Sequence, residues 1–231
     1  MRSPKSILNA VEHGLKSVST RIFLHSRLQC RDFSIVSNNC WGGHIYQKIG
    51  MEYRSPFAGL FLAPECYLNL LRDFHRNLCR PLKFAANSRH GYINRMRAEK
   101  NDRSPIGLLG DDIELHFVHY ETVAEAENKW SRRLLRMVKD EDRLFFKFCD
   151  RDGCTPGQLA EFDALPFRNK VCFVSHENHG LKYGLYIPGA KDGQVPDGGV
   201  LGKISPRFFD GVDWLNGNSG KTHWPNLFRF I

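Results

Sequence analysis

Short apolar runs alternate with helix-period segments along most of this chain, and that alternation restricts the folds open to it. Runs of about four to eight apolar or β-branched residues bounded by turn formers read as strands, and longer segments with a 3.6-residue period read as helices. Asp32–Ser37, Leu82–Ala85, Arg143–Cys149, Lys170–Ser175 and Leu181–Ile187 are strand-like. Between them, Pro64 opens a helix with Tyr67, Leu68, Leu71, Phe74, His75 and Leu78 on one side. Thr122–Lys139 carries Val123, Ala126, Trp130, Leu134, Met137 and Val138, and Thr122 with Glu125 has the spacing of a capping box. Pro156–Ala164 is a third helix. Pro105–Leu109 and Ile113–Tyr120 flank Gly110-Asp111-Asp112, a hairpin signal, because Gly and Asp accept the positive φ of a tight turn. Residues 86–103 are polar and basic, a surface helix or loop, and 188–203 are rich in Gly, Pro and Asp, a loop. The fold class is therefore α/β, with a mixed, largely parallel sheet and helices on its faces.

With 231 residues the chain fits one core, which grows to roughly 250 residues before chains divide. We divide it into a basic amphipathic helical arm, residues 1–31, and one α/β domain, 32–231. In the arm, Ile7, Val11, Leu15, Val18 and Ile22 recur at helical spacing. Arg2, Lys5, Lys16, Arg21, Arg27 and Arg31 stand against Glu12 alone, giving the arm five of the eight net positive charges. Residues 4–24 can pack on the chain's own domain or lie peripherally on an anionic membrane. Beyond the arm no stripe of Lys and Arg interleaved with aromatics is present, which disfavours nucleic acid as a partner. No apolar run reaches the roughly 20 residues of a membrane span, and the opening residues lack a secretory apolar stretch. Seven cysteines, an odd number with no CxxC pair, point to reduced and mostly buried thiols. The expected location is cytoplasmic, with a peripheral position at the inner membrane surface if the arm binds lipid.

In open α/β sheets ligands bind beyond the carboxyl ends of the strands. Two segments occupy such ends. Ser37-Asn38-Asn39-Cys40-Trp41-Gly42-Gly43 offers amides, a thiol and two glycines that permit close backbone approach. Cys40 at the start of the following helix is a candidate nucleophile. Asp150-Arg151-Asp152 ends the most apolar strand, and Asp-x-Asp can hold a divalent cation against a diphosphate; the same residues also make good turn chemistry. His116 and His176 are candidate bases. His116 and His119 lie three apart in a strand-like run, and such residues point to opposite faces. Arg54 can bring a guanidinium to an anionic ligand or make a structural ion pair.

The blocks SIVSNNCWGGHIYQKIG, YRSPFAGLFLAPECYLNLL, IELHFVHYETVAEAENKWSRR, LFFKFCDRDGC and FDALPFRNKVCF together resemble a bacterial domain family of unknown function. Its members are often labelled exopolysaccharide or capsule biosynthesis proteins. The resemblance covers residues 32–215. The Asn-Cys turn is also similar to the opening block of some polysaccharide acyltransferases, although the chain lacks the Gly-Asp-Ser opening and Asp-x-x-His pair of the related serine hydrolases. The resemblance implies a small-molecule or saccharide substrate and leaves three functions open. One is an acyl- or related group-transferase acting on a polysaccharide precursor with an acyl-CoA donor. Here Cys40 is the nucleophile, Asn38, Asn39 and the Gly42 backbone hold the oxyanion, His116 or His176 is the base, and Asp150 or Asp152 orients it. The second is a glycosyltransferase using a nucleotide sugar and a divalent cation at Asp150 and Asp152. The third is a non-enzymatic scaffold of a synthesis complex.

Overall fold

A computed structural model describes residues 18–177, 180–188, 190 and 192–221. Its elements in chain order are α1 (18–26), β1 (Ser34–Ser37), α2 (Trp41–Ile49), α3 (Pro64–Arg72), α4 (Phe74–Leu78), β2 (Leu82–Ala85), α5 (Gly91–Glu99), β3 (Ile106–Leu109), β4 (Ile113–His116), α6 (Val123–Leu135), β5 (Leu144–Cys149), α7 (Pro156–Ala164), β6 (Asn169–Val174), β7 (Gly184–Tyr186), α8 (Gly198–Ile204) and α9 (Gly211–Leu215).

The strands form two sheets rather than one mixed sheet. β1-β5-β6-β7 is parallel throughout, and β2-β3-β4 is a separate antiparallel meander. The hairpin between β3 and β4 closes on Gly110, whose φ of 67° only glycine adopts freely. Central strands of the parallel sheet are buried on both faces, which is why LFFKFC and NKVCFV read as continuous rather than alternating. One apolar cluster joins Phe146, Phe148 and Val36 to Tyr67, Leu71, Phe117 and Trp130. The opposite face packs Phe145, Phe173 and Ile35 against Trp41, Phe209 and Trp214.

Several boundaries differ from expectation for local reasons. The segment from Pro64 to Leu78 breaks at Asp73, where φ is −141°, giving α3 and α4. Residues 58–62 contribute one isolated bridge, Phe61 to His116. The expected loop 188–203 contains α8, started by Asp197, whose carboxylate accepts from the N–H groups of Gly199 and Val200. α6 starts at the expected cap, Thr122 accepting from the Glu125 N–H. α7 has both halves of a Thr155–Gln158 capping box.

Ile7, Val11 and Leu15 of the amphipathic pattern lie outside the described residues. In α1 the packed side carries Leu24, and Leu28 follows it into the second cluster; His25 Nδ1 lies 3.1 Å from the Ile49 carbonyl. Of the apolar stripe, the two described residues are exposed, Val18 by 53% and Ile22 by 65%. Among the described residues no helix is long and apolar enough to cross a membrane. All seven cysteines are free, but only Cys66, Cys149 and Cys172 are buried, so burial of the thiols is less general than expected.

Candidate functional site

Because β1 and β5 are parallel neighbours, with Ser37 opposite Lys147, the turns after both strands emerge at one edge of the sheet. Cys40 is the N-cap of α2, and its half-buried thiol lies 3.0 Å from His119 Nε2. His119 comes from the turn after β4. That strand ends at His116, whose backbone pairs with Phe61 in both directions, and Tyr120 N–H then bonds back to the Phe117 carbonyl. The chain thus turns at 117–120, and the opposite-faces argument for two histidines in one strand does not apply. Tyr120 donates to the Ala58 carbonyl and receives the Arg133 guanidinium, which fixes the turn beside the Cys40 loop.

Burial pushes the Cys40 thiol up to about 11, against its own backbone hydrogen bond and the positive charge of Lys147, which lower it. The resting pair is therefore a neutral thiol beside an imidazole. His44, one turn into α2, is shifted down, first by burial and then by the neighbouring His119, Lys48 and Lys203. Gly202 of α8 packs on the His44 ring, where a Cβ would come within 2.8 Å.

Beneath Cys40 lies a buried polar layer. Lys147, wholly buried, donates to Asn38 Oδ1 at 3.1 Å and Asn39 Oδ1 at 3.0 Å. The two amide nitrogens contact Cys149 Sγ at 3.6 and 3.5 Å. Asn39 Oδ1 also accepts from the Trp41 N–H, so it fixes the first turn of α2. Asn38 and Asn39 therefore spend their amides inside the protein and are not free donors to an oxyanion. Ser37 is equally internal, accepting from the Asn39 N–H at 3.4 Å.

The other candidate residues are placed as follows. Trp41 is buried, its Nε1 donating to Ser205 Oγ at 2.9 Å, and is a core residue rather than a substrate contact. Gly42 and Gly43 lie in the first turn of α2 instead of a flexible loop. Gly42 serves close packing, because a Cβ there would meet Ile35 at 3.0 Å and Ser37 at 3.1 Å. Arg54 pairs with Asp32 at 2.5 Å, before β1 and so at the opposite end of that strand from Cys40. His116 is buried 3.3 Å from Glu114, and its ring lies tilted against Phe61 with centroids 5.5 Å apart. Burial alone would raise the Glu114 carboxyl, but the close His116 ring and hydrogen bonds from the Ser88 hydroxyl and the Arg89 N–H outweigh it and hold the group at about 2. This pair anchors the 88–89 segment to β4. His176 is exposed on the turn after β6, where the Cβ position of Gly193 is 4.0 Å from its Nε2.

The Asp-Arg-Asp turn is similarly committed. Asp150 accepts from Ser175 N and Oγ, each at 2.6 Å, and from Val195 N at 2.9 Å, tying the ends of β5 and β6 to the 193–195 segment. Arg151 donates to the Val195 carbonyl at 2.9 Å and lies 3.5 Å from Asp152. Asp152 has a φ of 63° and is shifted up by burial, against the pull of Arg151 and Lys147. Among the described residues, no three His, Cys, Asp or Glu side chains are arranged to hold a metal ion. A separate polar groove, lined by Asn94, Arg97, Asp102 and Glu121 between β2, α5 and the start of α6, contains none of these residues.

The model of a domain of unknown function, DUF1919, matches residues 12–216. The chain belongs to this family. A protein of Haemophilus influenzae described as uncharacterized is 35% identical over 198 residues, covering 84% of this chain and 88% of its own length. The match meets the expectation of a family of unknown function and extends it back into the arm. Neither description speaks of polysaccharide synthesis. The DUF1919 region contains Cys40, His44, His119, Lys147 and Asp197, so the whole edge described above lies inside it.

The residues that the sequence missed are His119, His44 and Lys147. His119 had no local signal, because its approach to Cys40 is set by the bridge between Phe61 and His116. Lys147 did carry a signal: a lysine inside LFFKFC, a strand otherwise apolar.

Proposed function

We propose that this DUF1919 chain is a thiol-dependent acyl- or related group-transferase with Cys40 as nucleophile and His119 as base. The 3.0 Å contact between Cys40 Sγ and His119 Nε2, at the carboxyl edge of a parallel sheet, carries the proposal. His119 removes the thiol proton as Sγ attacks the carbonyl carbon of an activated acyl donor. The tetrahedral intermediate collapses, the leaving group departs with the proton from His119, and a thioester remains on Cys40. An acceptor hydroxyl, deprotonated by His119, then attacks that thioester, releasing the acylated product and restoring the thiol. The Gly42 and Gly43 N–H groups in the first turn of α2, with its positive dipole end, would favour the oxyanion, the Trp41 N–H being held by Asn39 Oδ1. A polysaccharide precursor as acceptor and acyl-CoA as donor rest on the sequence resemblance. The nucleotide-sugar alternative draws less support, because Asp150 already uses both carboxylate oxygens within the fold.

Intact-mass analysis with acyl-CoA or p-nitrophenyl acetate tests the proposal. A single acyl adduct mapping to the Cys40 peptide, and absent from Cys40→Ser, is expected. Acyl transfer that persists in Cys40→Ser removes the nucleophile.

Peripheral membrane contact by the arm has one observation in its favour: Val18, Ile22 and Phe23 are exposed on α1, Phe23 by 40%. Co-sedimentation with vesicles containing phosphatidylserine should fall at least about threefold in a Val18→Ser, Ile22→Ser, Phe23→Ser variant, since each apolar side chain contributes about 1.5–3 kcal/mol when fully buried. Equal sedimentation of both proteins ends that assignment.

A further inference from the structure

Lys147 places its amine where charges are costly. Its side chain is wholly buried on the face of β5 that also carries Phe145 and Cys149. Two of its three N–H donors go to the Asn38 and Asn39 amides, and the Phe173 ring centroid is 5.8 Å from Nζ. Amide dipoles satisfy hydrogen bonds but do not neutralise an ion. Among the described residues no carboxylate lies within ion-pair distance of Nζ. A buried amine without a counter-ion sits there at a cost, which a negative charge developing nearby would offset.

The positive charge of Lys147 acts on Cys40 and on Asp152. The connection to Cys40 is also structural: Asn39 Oδ1 accepts from both Lys147 Nζ and the N–H of Trp41, the residue after Cys40. The field at the thiol has other sources. His119 lies 3.0 Å from it, carried by the turn after β4, and Asp197 acts on it from the start of α8. Asp197 opposes ionisation of Cys40, so Lys147 is the buried cation that offsets it.

We propose that Lys147 is a positioning residue for Cys40: its buried charge, held in place by the Asn38 and Asn39 amides, stabilises the thiolate and the negative charge that develops as Cys40 attacks. The catalytic meaning rests on the Cys40 proposal above. The effect on thiol acidity does not, because alkylation reads it without turnover.

The test is site-resolved alkylation of the full chain by iodoacetamide between about pH 7 and pH 10, following the Cys40 peptide by mass spectrometry. Lys147→Met removes the charge at similar volume, a replacement that buried ions commonly tolerate. Asn39→Asp keeps the amine, supplies it with a carboxylate partner and retains an acceptor for the Trp41 N–H. Both should slow Cys40 alkylation about tenfold at a given pH, equivalent to about one pH unit in thiol acidity. Cys66 and Cys172, both buried, report global integrity in the same digest and should stay as protected as in wild type. If Lys147→Met is folded by that criterion and Cys40 reacts within about twofold of wild type, the proposal is overturned, whatever Asn39→Asp does. If Lys147→Met does not fold, Asn39→Asp decides by the same threshold. An adduct on Cys40 with no alkylation shift leaves the acyl-transfer proposal standing without Lys147. An alkylation shift with no adduct leaves Lys147 in its role and removes acyl transfer.

Discussion

Replacing His119 by Asn is expected to slow acyl transfer by about 10²–10⁴-fold while changing stability by no more than about 0.5 kcal/mol. The two effects separate because His119 is exposed and its ring nitrogen contacts the Cys40 thiol rather than the core. Burial keeps that thiol protonated at neutral pH, so attack requires a base at the moment of bond formation. Asparagine keeps a polar group in the turn but cannot accept the proton. The informative control is His116→Gln. His116 is buried against Glu114 and Phe61, so its loss should appear as a lower melting temperature. Turnover is measured with the acyl donor that labels Cys40, and stability by urea denaturation. Full turnover in His119→Asn, or an equal loss in a well-folded His116→Gln, would falsify the assignment of the base.

The largest stability effect is expected at Trp41. Trp41→Ala should cost about 3–5 kcal/mol, the range for truncating a buried large aromatic. In a domain of this size that corresponds to a melting temperature lower by roughly 10 °C. Trp41 joins three parts of the second core: its ring centroid lies 5.1 Å from Phe173 on β6, 5.9 Å from Trp214 on α9 and 6.1 Å from Phe209. Truncation also leaves Ser205 Oγ without its indole donor inside the core. Because Trp41 directly follows Cys40, the vacated volume lies under the nucleophile, and acyl transfer should fall with stability. A loss below about 1 kcal/mol in the urea midpoint analysis would mean that α9 and α8 hold this face without the indole.

The legible parts of this protein were those written in local chemistry. Thr122 with Glu125 announced its helix, because a cap is a contact between residues three apart. Gly110 announced the hairpin, because a single φ decides it. The apolar runs Arg143–Cys149 and Lys170–Ser175 announced strands, which are the parallel neighbours β5 and β6, shifted by one residue at their ends. α8 was hidden because glycines at 198, 199 and 202 weaken helix propensity; its cap at Asp197 and its packing on α2 at His44 override them.

The sequence by itself determined an α/β chain with Cys40 at a strand-to-helix turn. Only the tertiary structure decided which histidine meets that thiol, and that Lys147 is buried beneath it with two asparagines as partners. The reason is separation along the chain. Cys40 and His119 are 79 residues apart, and Lys147 is 109 from Asn38, so no local rule relates them. Sheet register does. Parallel pairing puts Ser37 opposite Lys147, and the Phe61 bridge to His116 turns the chain so that His119 comes to Cys40.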